Sequence, residues 1–144
     1  VVTFHVVRET AQAGAALGAP EAVAQLAPQL IPDDAKEHFG ILMLNAQNKL
    51  VAYHEVSMGT LSASLVHPRE VFGPAVRMGA ASIIVAHNHP SGDPEPSRQD
   101  VEVTERLRRA GEILGIPLLD HVIIDDAGRH VSLRERGHLA PGAA

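Results

Sequence analysis

The sequence predicts a mixed α/β domain in which helices pack against a β-sheet. Short apolar runs rich in β-branched residues alternate with longer segments of helical periodicity, and no internal repeat interrupts them. The chain has 144 residues, of which 45% are hydrophobic, and this is enough for one packed core. We therefore expect a single domain over residues 1–144, with the end of the chain, residues 138–144, frayed.

Six short runs have the composition and length of β-strands. They cover residues 1–7, 38–45, 49–59, 82–88, 117–125 and 129–133. A short polar stretch separates the second run from the third, and a turn sequence separates the fifth from the sixth, so each pair is expected to form a hairpin. The fourth run, "SIIVAHN", is typical of a buried central strand.

Three segments, residues 19–31, 67–81 and 96–115, have the pattern of helices. Pro28 is expected to bend or end the first helix, and Pro74 interrupts the centre of the second. The third is the most regular, with an apolar stripe that predicts its inward face. This stripe consists of Val103, Leu107, Ala110 and Leu114.

The composition narrows the classes of function. The chain has no cysteine, which excludes disulfides and fits a reducing, cytoplasmic compartment. Its formal net charge of −5 argues against holding duplex DNA through phosphate contacts. No apolar run approaches the ~20 residues of a membrane span, and the first residues lack the pattern of a secretory signal.

The stretch "AHNHPSGDPEPSRQD" contains the densest group of potential metal ligands. Residues i and i+2 of an extended segment point to the same side, so His87 and His89 are expected to face one point. Pro90 keeps His89 extended, and the helix that starts at Ser97 brings Asp100 towards them. Two imidazoles and one carboxylate leave a fourth position for water, which is typical of a catalytic zinc site.

Each part of this pattern also has a simpler interpretation. Ser97 followed by Asp100 matches a helix capping box, although Glu or Gln is more usual at the closing position. Paired histidines are also common at the polar ends of strands. A hydrolytic site further needs a base, and Glu55 is the candidate because an acid in a half-apolar strand is costly unless it is paired or functional. Strand alternation alone slightly favours a solvent-facing Glu55.

Three stretches of the chain resemble the RadC family, a bacterial branch of the JAB/MPN metalloprotease-like domains. They are "HEVSMGTLSASLVHPREVF", "HNHPSGDPEPSRQD" and "LLDHVII". The His-x-His-Pro sequence, closed seven residues later by Ser-x-x-Asp, is the JAMM signature. The resemblance covers nearly the whole chain and implies the JAB/MPN fold, a curved mixed β-sheet flanked by helices and related to the cytidine-deaminase architecture.

The resemblance implies a zinc-dependent metalloprotease-like hydrolase of peptide or isopeptide bonds. By this resemblance His87, His89 and Asp100 would bind Zn²⁺. Glu55 would take a proton from the attacking water and pass it to the leaving amine, and Ser97 would help to stabilise the oxyanion. A protein or peptide is then the expected substrate, direct DNA binding by this chain alone is not expected, and a homodimer is open.

A second class of function stays open, namely a non-catalytic zinc-containing interaction module associated with DNA repair or recombination proteins. RadC-type chains usually carry a helix-hairpin-helix region ahead of this domain, and nothing in the sequence resembles it. Three other metal-enzyme classes are disfavoured. The letters "HNH" lack the ββα arrangement of nucleases, zinc deaminases need a Cys-x-x-Cys pair, and no His-Glu-x-x-His helix occurs.

Other polar residues have structural interpretations. Asp120 and His121 are predicted to form a satisfied internal polar pair, in preference to a role near the metal. Asn88 and Asp93 are expected to shape the loop, where a bond to a histidine ring is one further option. His38, like the histidines elsewhere in the chain, shows no ligand spacing.

Overall fold

A six-stranded mixed sheet organises the chain, which the computed structural model describes over residues 5–6, 14–58 and 66–139. The strand order is β1-β3-β2-β4-β5-β6, in which β4 and β5 are parallel and all other neighbours antiparallel. The strands are β1 (His5–Val6), β2 (His38–Leu44), β3 (Leu50–Met58), β4 (Ser82–Asn88), β5 (Leu118–Ile124) and β6 (His130–Ser132). The predicted class is confirmed, and the five later strand predictions hold to within one residue at each end. Of the first predicted strand only His5–Val6 lies within the described residues.

The three predicted helices are present. They are α1 (Pro20–Leu26), α2 (Pro68–Arg77) and α3 (Arg98–Leu114). As predicted, Pro28 ends the first helix, since Ala27–Gln29 continue as a 3₁₀ turn. The stripe predicted for α3 is wrong at Leu114, which is 50% exposed because it lies in the last turn, where the chain reverses at Gly115. Across the described residues, none of the helices combines the length and the hydropathy of a transmembrane segment.

Strand alternation divides the core into two layers. On one side of the sheet, which we call the α3 face, Phe39, Ile41 and Val85 pack with residues of α2 and α3. On the other side, the α1 face, Leu42 and Ile84 pack with α1. Whether a side chain near the end of β2 or β4 lies on the α3 face or on the α1 face therefore depends only on its position along the strand.

The end of the described chain is packed, in contrast to the prediction. Leu139 is 3% exposed and belongs to the core on the α3 face. His138 donates its backbone N–H to the carbonyl of Leu133. The predicted fraying of residues 138–144 is therefore wrong for these two positions, because an apolar side chain anchors them, and residues 140–144 lie outside the described residues.

Candidate metal centre

His87 lies at the end of a central strand, enclosed by both neighbours. It pairs with Phe39 of β2 and with Ile123 of β5, and it is fully buried. Phe39, on the same face, packs the edge of its ring against the imidazole, with 5.3 Å between ring centroids. His89 follows the strand and is held by its backbone N–H, which donates to the carbonyl of Ile124 over 2.8 Å. The two rings meet edge to face with 4.8 Å between centroids.

The loop after His89 turns sharply and delivers Asp100 at the start of α3. Gly92 has φ +87°, a conformation that a side chain would strain. Ser97 caps the helix: its Oγ accepts from the N–H of Asp100 over 3.1 Å, and Asp100 Oδ2 accepts from the N–H of Ser97 over 2.7 Å. The capping box is therefore real, and it leaves Asp100 Oδ1 without a hydrogen-bond partner.

The structure brings the three predicted ligands together. Asp100 Oδ1 lies 3.4 Å from His87 Nδ1, and Asp100 Oδ2 lies 3.2 Å from His89 Nε2. Asp100 is 1% exposed, so its carboxylate faces the histidines rather than solvent. The same aspartate thus serves the helix cap and the histidine pair.

Glu37, which the sequence analysis did not single out, also reaches the histidines. Its Oε1 lies 3.2 Å from His87 Nε2. It directly precedes β2 and alternates with His38 and Phe39, which places it on the α3 face with His87. Asn88 fixes this segment, since it accepts from the N–H of His38 and donates to the carbonyl of Lys36. The sequence near Glu37 does not predict this contact, because the contact depends on the pairing of β2 with β4.

Glu55 contacts a different histidine. It pairs with Gly40, on the α1 face, and its Oε1 bonds to His38 Nδ1. The other nitrogen of His38, Nε2, lies 2.8 Å from Asp34 Oδ1. The structure therefore places Glu55 across the sheet from His87 and in contact with His38. Its role as the general base stays a prediction.

A second polar chain runs behind His87. His87 Nδ1 lies 3.2 Å from His121 Nε2, and His121 Nδ1 lies 2.7 Å from Thr104 Oγ1. The Thr104 hydroxyl donates to the carbonyl of Asp100 over 2.7 Å. His121 is therefore a satisfied buried residue, as expected, and the pairing of β5 with β4 brings its imidazole beside His87.

Asp120 fits the expectation of a satisfied internal residue. Its carboxylate accepts from the hydroxyl of Ser132 and from the backbone N–H groups of His121 and Arg134. Burial raises its pKa, while the Ser132 bond acts in the opposite direction. Asp120 and His121 are neighbours in sequence, but only His121 contributes to the histidine cluster.

The donor atoms form two overlapping sets that could hold a metal ion. One is Glu37, His87 and His89; the other is His87, Asp100 and His121. Among the described residues, neither set includes Glu55. His87 Nε2 and Asp100 Oδ1 are buried and make no hydrogen bond, and buried polar atoms rarely lack a partner. A cation bound by these nitrogen and oxygen donors would supply a missing partner, so the cluster fits a divalent metal. Neither set contains all three of the predicted ligands His87, His89 and Asp100.

Comparison with known proteins identifies the family of the chain. The sequence profile of the RadC-like JAB domain matches residues 17–138. The chain belongs to the RadC-like JAB domain family. It is 56% identical over 119 residues to a UPF0758 protein of Caldanaerobacter subterraneus, covering 83% of this chain and 51% of that protein. It is 48% identical over 133 residues to one of Shouchella clausii, covering 92% of this chain and 57% of that protein. The chain thus spans about half the length of these relatives.

Electrostatics in this RadC-like domain favour an ionised Asp100 carboxylate. Burial raises the pKa of Asp100, but the hydrogen bond from His89 and the nearby His87 outweigh it, so the net pKa lies below the usual range. Burial lowers the pKa of His89, but the bonds to Asp100 and to the backbone of Asp93, together with the charge of nearby carboxylates, outweigh burial and the net pKa is raised. Burial, followed by the proximity of His87, lowers the pKa of His121 well below its usual value. Burial therefore favours the neutral form of His121.

The centre opens into a cleft of about 390 Å³. The lining residues are polar: Glu37, His89, Ser91, Asp93, Glu95, Ser97, Gln99 and Asp100. Ser97 is exposed here, while His87 lies behind the wall of the cleft with none of its surface exposed. The RadC-like domain therefore offers a polar approach to a mostly buried set of ligands.

Proposed function

We propose that this chain is a zinc-dependent hydrolase that cleaves a peptide or isopeptide amide bond. The observation that carries the proposal is a pair of overlapping donor sets that share His87, one with Glu37 and His89 and the other with Asp100 and His121, beside an open polar cleft. Asp100 Oδ2 also lies 3.2 Å from His89 Nε2. Two imidazoles and a carboxylate are ligands that suit Zn²⁺, and catalytic zinc sites keep one position accessible. Structural zinc sites are usually closed by four protein ligands, so the open cleft supports the catalytic alternative over a metal-containing interaction module for DNA repair proteins.

In this proposal His87, His89 and Asp100 hold the metal. The metal, when bound, would polarise the scissile carbonyl and make a water molecule more acidic. Asp93 supports His89, because its backbone carbonyl accepts from His89 Nδ1 over 3.0 Å and leaves Nε2 directed at Asp100. Such outer contacts orient histidine ligands in metal sites.

Glu37 is the general base in this proposal. Its carboxylate lies beside His87 Nε2, and its side chain is 26% exposed, so it lines the cleft as well as the histidines. From there it would accept the proton of the attacking water and deliver it to the leaving nitrogen. Ser97 would stabilise the oxyanion, since its Oγ accepts from Asp100 N–H and its own hydrogen stays available to a substrate oxygen.

The substrate in this proposal is a protein or peptide, and the site of action is the cytoplasm. A substrate chain can enter the cleft from solvent, because Ser91, Glu95 and Ser97 on its rim are exposed. Direct binding of DNA is not part of the proposal, since the net charge of −5 opposes it. A homodimer is compatible with it.

Paired glutamate variants test the assignment of the base. Glu37→Gln should keep bound zinc, measured by elemental analysis, and lower kcat on a cleaved peptide or isopeptide by about 10²- to 10⁴-fold. Glu55→Gln is the matched control and should retain most of kcat, because Glu55 contacts His38 instead. The opposite result, loss in Glu55→Gln alone, would restore Glu55 as the base. A zinc-loaded wild type that cleaves no member of peptide and isopeptide libraries would oppose the hydrolase proposal.

A further inference from the structure

The hydrogen-bond chain behind His87 has a defined direction. Thr104 has one hydroxyl hydrogen, and the carbonyl of Asp100 can only accept it. Thr104 Oγ1 must therefore accept from His121 Nδ1, which lies 2.7 Å away. A neutral His121 that carries its proton on Nδ1 has a free electron pair on Nε2.

The same counting extends to His87. His121 Nε2, 3.2 Å from His87 Nδ1, is then an acceptor, and the other neighbour of that nitrogen is Asp100 Oδ1 at 3.4 Å. Both neighbours of Nδ1 accept, whereas the carboxylate oxygen near Nε2, Glu37 Oε1 at 3.2 Å, forms no hydrogen bond with it. The geometry therefore favours the proton on His87 Nδ1. Its Nε2 is left with a free electron pair, on the side of Glu37 and His89.

We infer that His121 is a positioning residue that, anchored by Thr104, holds His87 in the tautomer whose Nε2 can bind a metal. The backbone carbonyl of Asp93 does the same for His89. The two histidines thus present equivalent nitrogens to one point, although one is fixed by a loop carbonyl and the other by a buried side chain.

Burial makes this arrangement persistent. Thr104 and His121 are 1% and 0% exposed, so water does not compete for their hydrogen bonds. Phe39 packs the edge of its ring against the His121 imidazole as well, with 5.5 Å between centroids, and restricts its rotation. The link to metal binding rests on the proposed function, whereas the tautomers of His87 and His121 do not depend on that function.

The first test is made on the metal-free chain. Long-range nitrogen–proton correlation spectra identify which ring nitrogen of each histidine carries the proton. We expect Nδ1–H for both His87 and His121 in the wild type, whether or not the chain is a hydrolase. Nε2–H on His87 would overturn the inference without touching the proposed function.

The second test uses variants and zinc affinity, measured by competition with a chromophoric chelator. Thr104→Val keeps the shape but removes the acceptor, and it should weaken zinc binding by about 10- to 100-fold and mix the His87 tautomers. Thr104→Ser should restore both. Unchanged affinity and tautomer in Thr104→Val would overturn the inference.

Two His121 variants separate positioning from direct ligation. In His121→Gln an amide oxygen can still accept from His87 Nδ1, so zinc affinity should stay within about tenfold of the wild type, whereas His121→Phe should lose about 10- to 100-fold. If His121→Gln instead loses zinc as completely as His87→Ala, then His121 is itself a ligand, as the second donor set would allow. Failure of the wild type to bind zinc would oppose the proposed function, and the spectra would still decide the tautomer.

Discussion

Zinc should raise the thermal stability of this chain by an amount that can be calculated beforehand. The folded chain buries His87 Nε2 and Asp100 Oδ1 without hydrogen bonds, and each such atom costs about 1–3 kcal/mol. A cation bound at this cluster would remove such a cost, and it would do so only in the folded state. At a free zinc concentration about 100-fold above Kd, the linked stabilisation is about 2.7 kcal/mol. For 144 residues, with an unfolding entropy of about 2.1 cal/mol/K per residue, this corresponds to a Tm rise of about 9 °C.

The assay is differential scanning calorimetry with and without zinc, on the wild type and three variants. His89→Ala should lose most of the zinc-dependent rise. Glu37→Gln should retain it, because Glu37 is proposed as a base and not as a ligand. His130→Ala controls for loss of a histidine, since His130 belongs to neither donor set. An unchanged wild-type Tm, or equal rises in the wild type and His89→Ala, would refute the reasoning.

Three further predictions concern stability in the presence of a chelator, measured by urea unfolding. Gly40→Ala should lower the free energy of unfolding by about 1–3 kcal/mol, because a Cβ there would lie 2.5 Å from ring carbons of Tyr53. Gly73→Ala in α2 is the control and should be neutral or stabilising, because a Cβ there meets nothing within 4 Å. Burial lowers the pKa of His38, but its two carboxylate partners outweigh burial and the net pKa is raised. The two carboxylates therefore stabilise the folded chain fully below about pH 6.5, and this stabilisation is lost as the pH rises through the folded pKa of His38. His38→Gln should then lower the free energy of unfolding more near pH 6 than near pH 8.5. Equal losses at the two pH values would contradict this. Ser97→Ala should cost about 1 kcal/mol through the lost cap, and Ser97→Thr should recover much of it.

Local patterns were sufficient for the elements and for the ligand-bearing loop. His87 and His89 were predicted to converge because a two-residue spacing in extended chain is a local property, and Pro90 and the Ser97 cap are local too. Asp100 was placed by the same helix start. Nothing in these inferences needed knowledge of which strands pair.

The remaining parts of the site depend on strand pairing, which one sequence does not specify. Glu37 reaches His87 only because β2 lies antiparallel to β4 with Phe39 opposite His87. Alternation along β3 does not tell which face of the sheet Glu55 occupies, because this depends on its pairing with Gly40 after a register shift between Phe39 and Gly40. His121 likewise joins the cluster through the parallel pairing of β5 with β4.

Residue 100 both caps α3 and faces His87, and aspartate has the length that suits these two tasks together. Its two carboxylate oxygens have different tasks: Oδ2 closes the capping box and Oδ1 stays free beside His87. Glutamate, the usual residue at this capping position, would satisfy the helix equally well, but its extra methylene would displace the second oxygen. Asp100→Glu should therefore separate two properties that are joined in the native chain, leaving a folded helix with a mispositioned ligand. The length of one side chain therefore decides, in this domain, whether the residue that caps the helix also reaches the histidines.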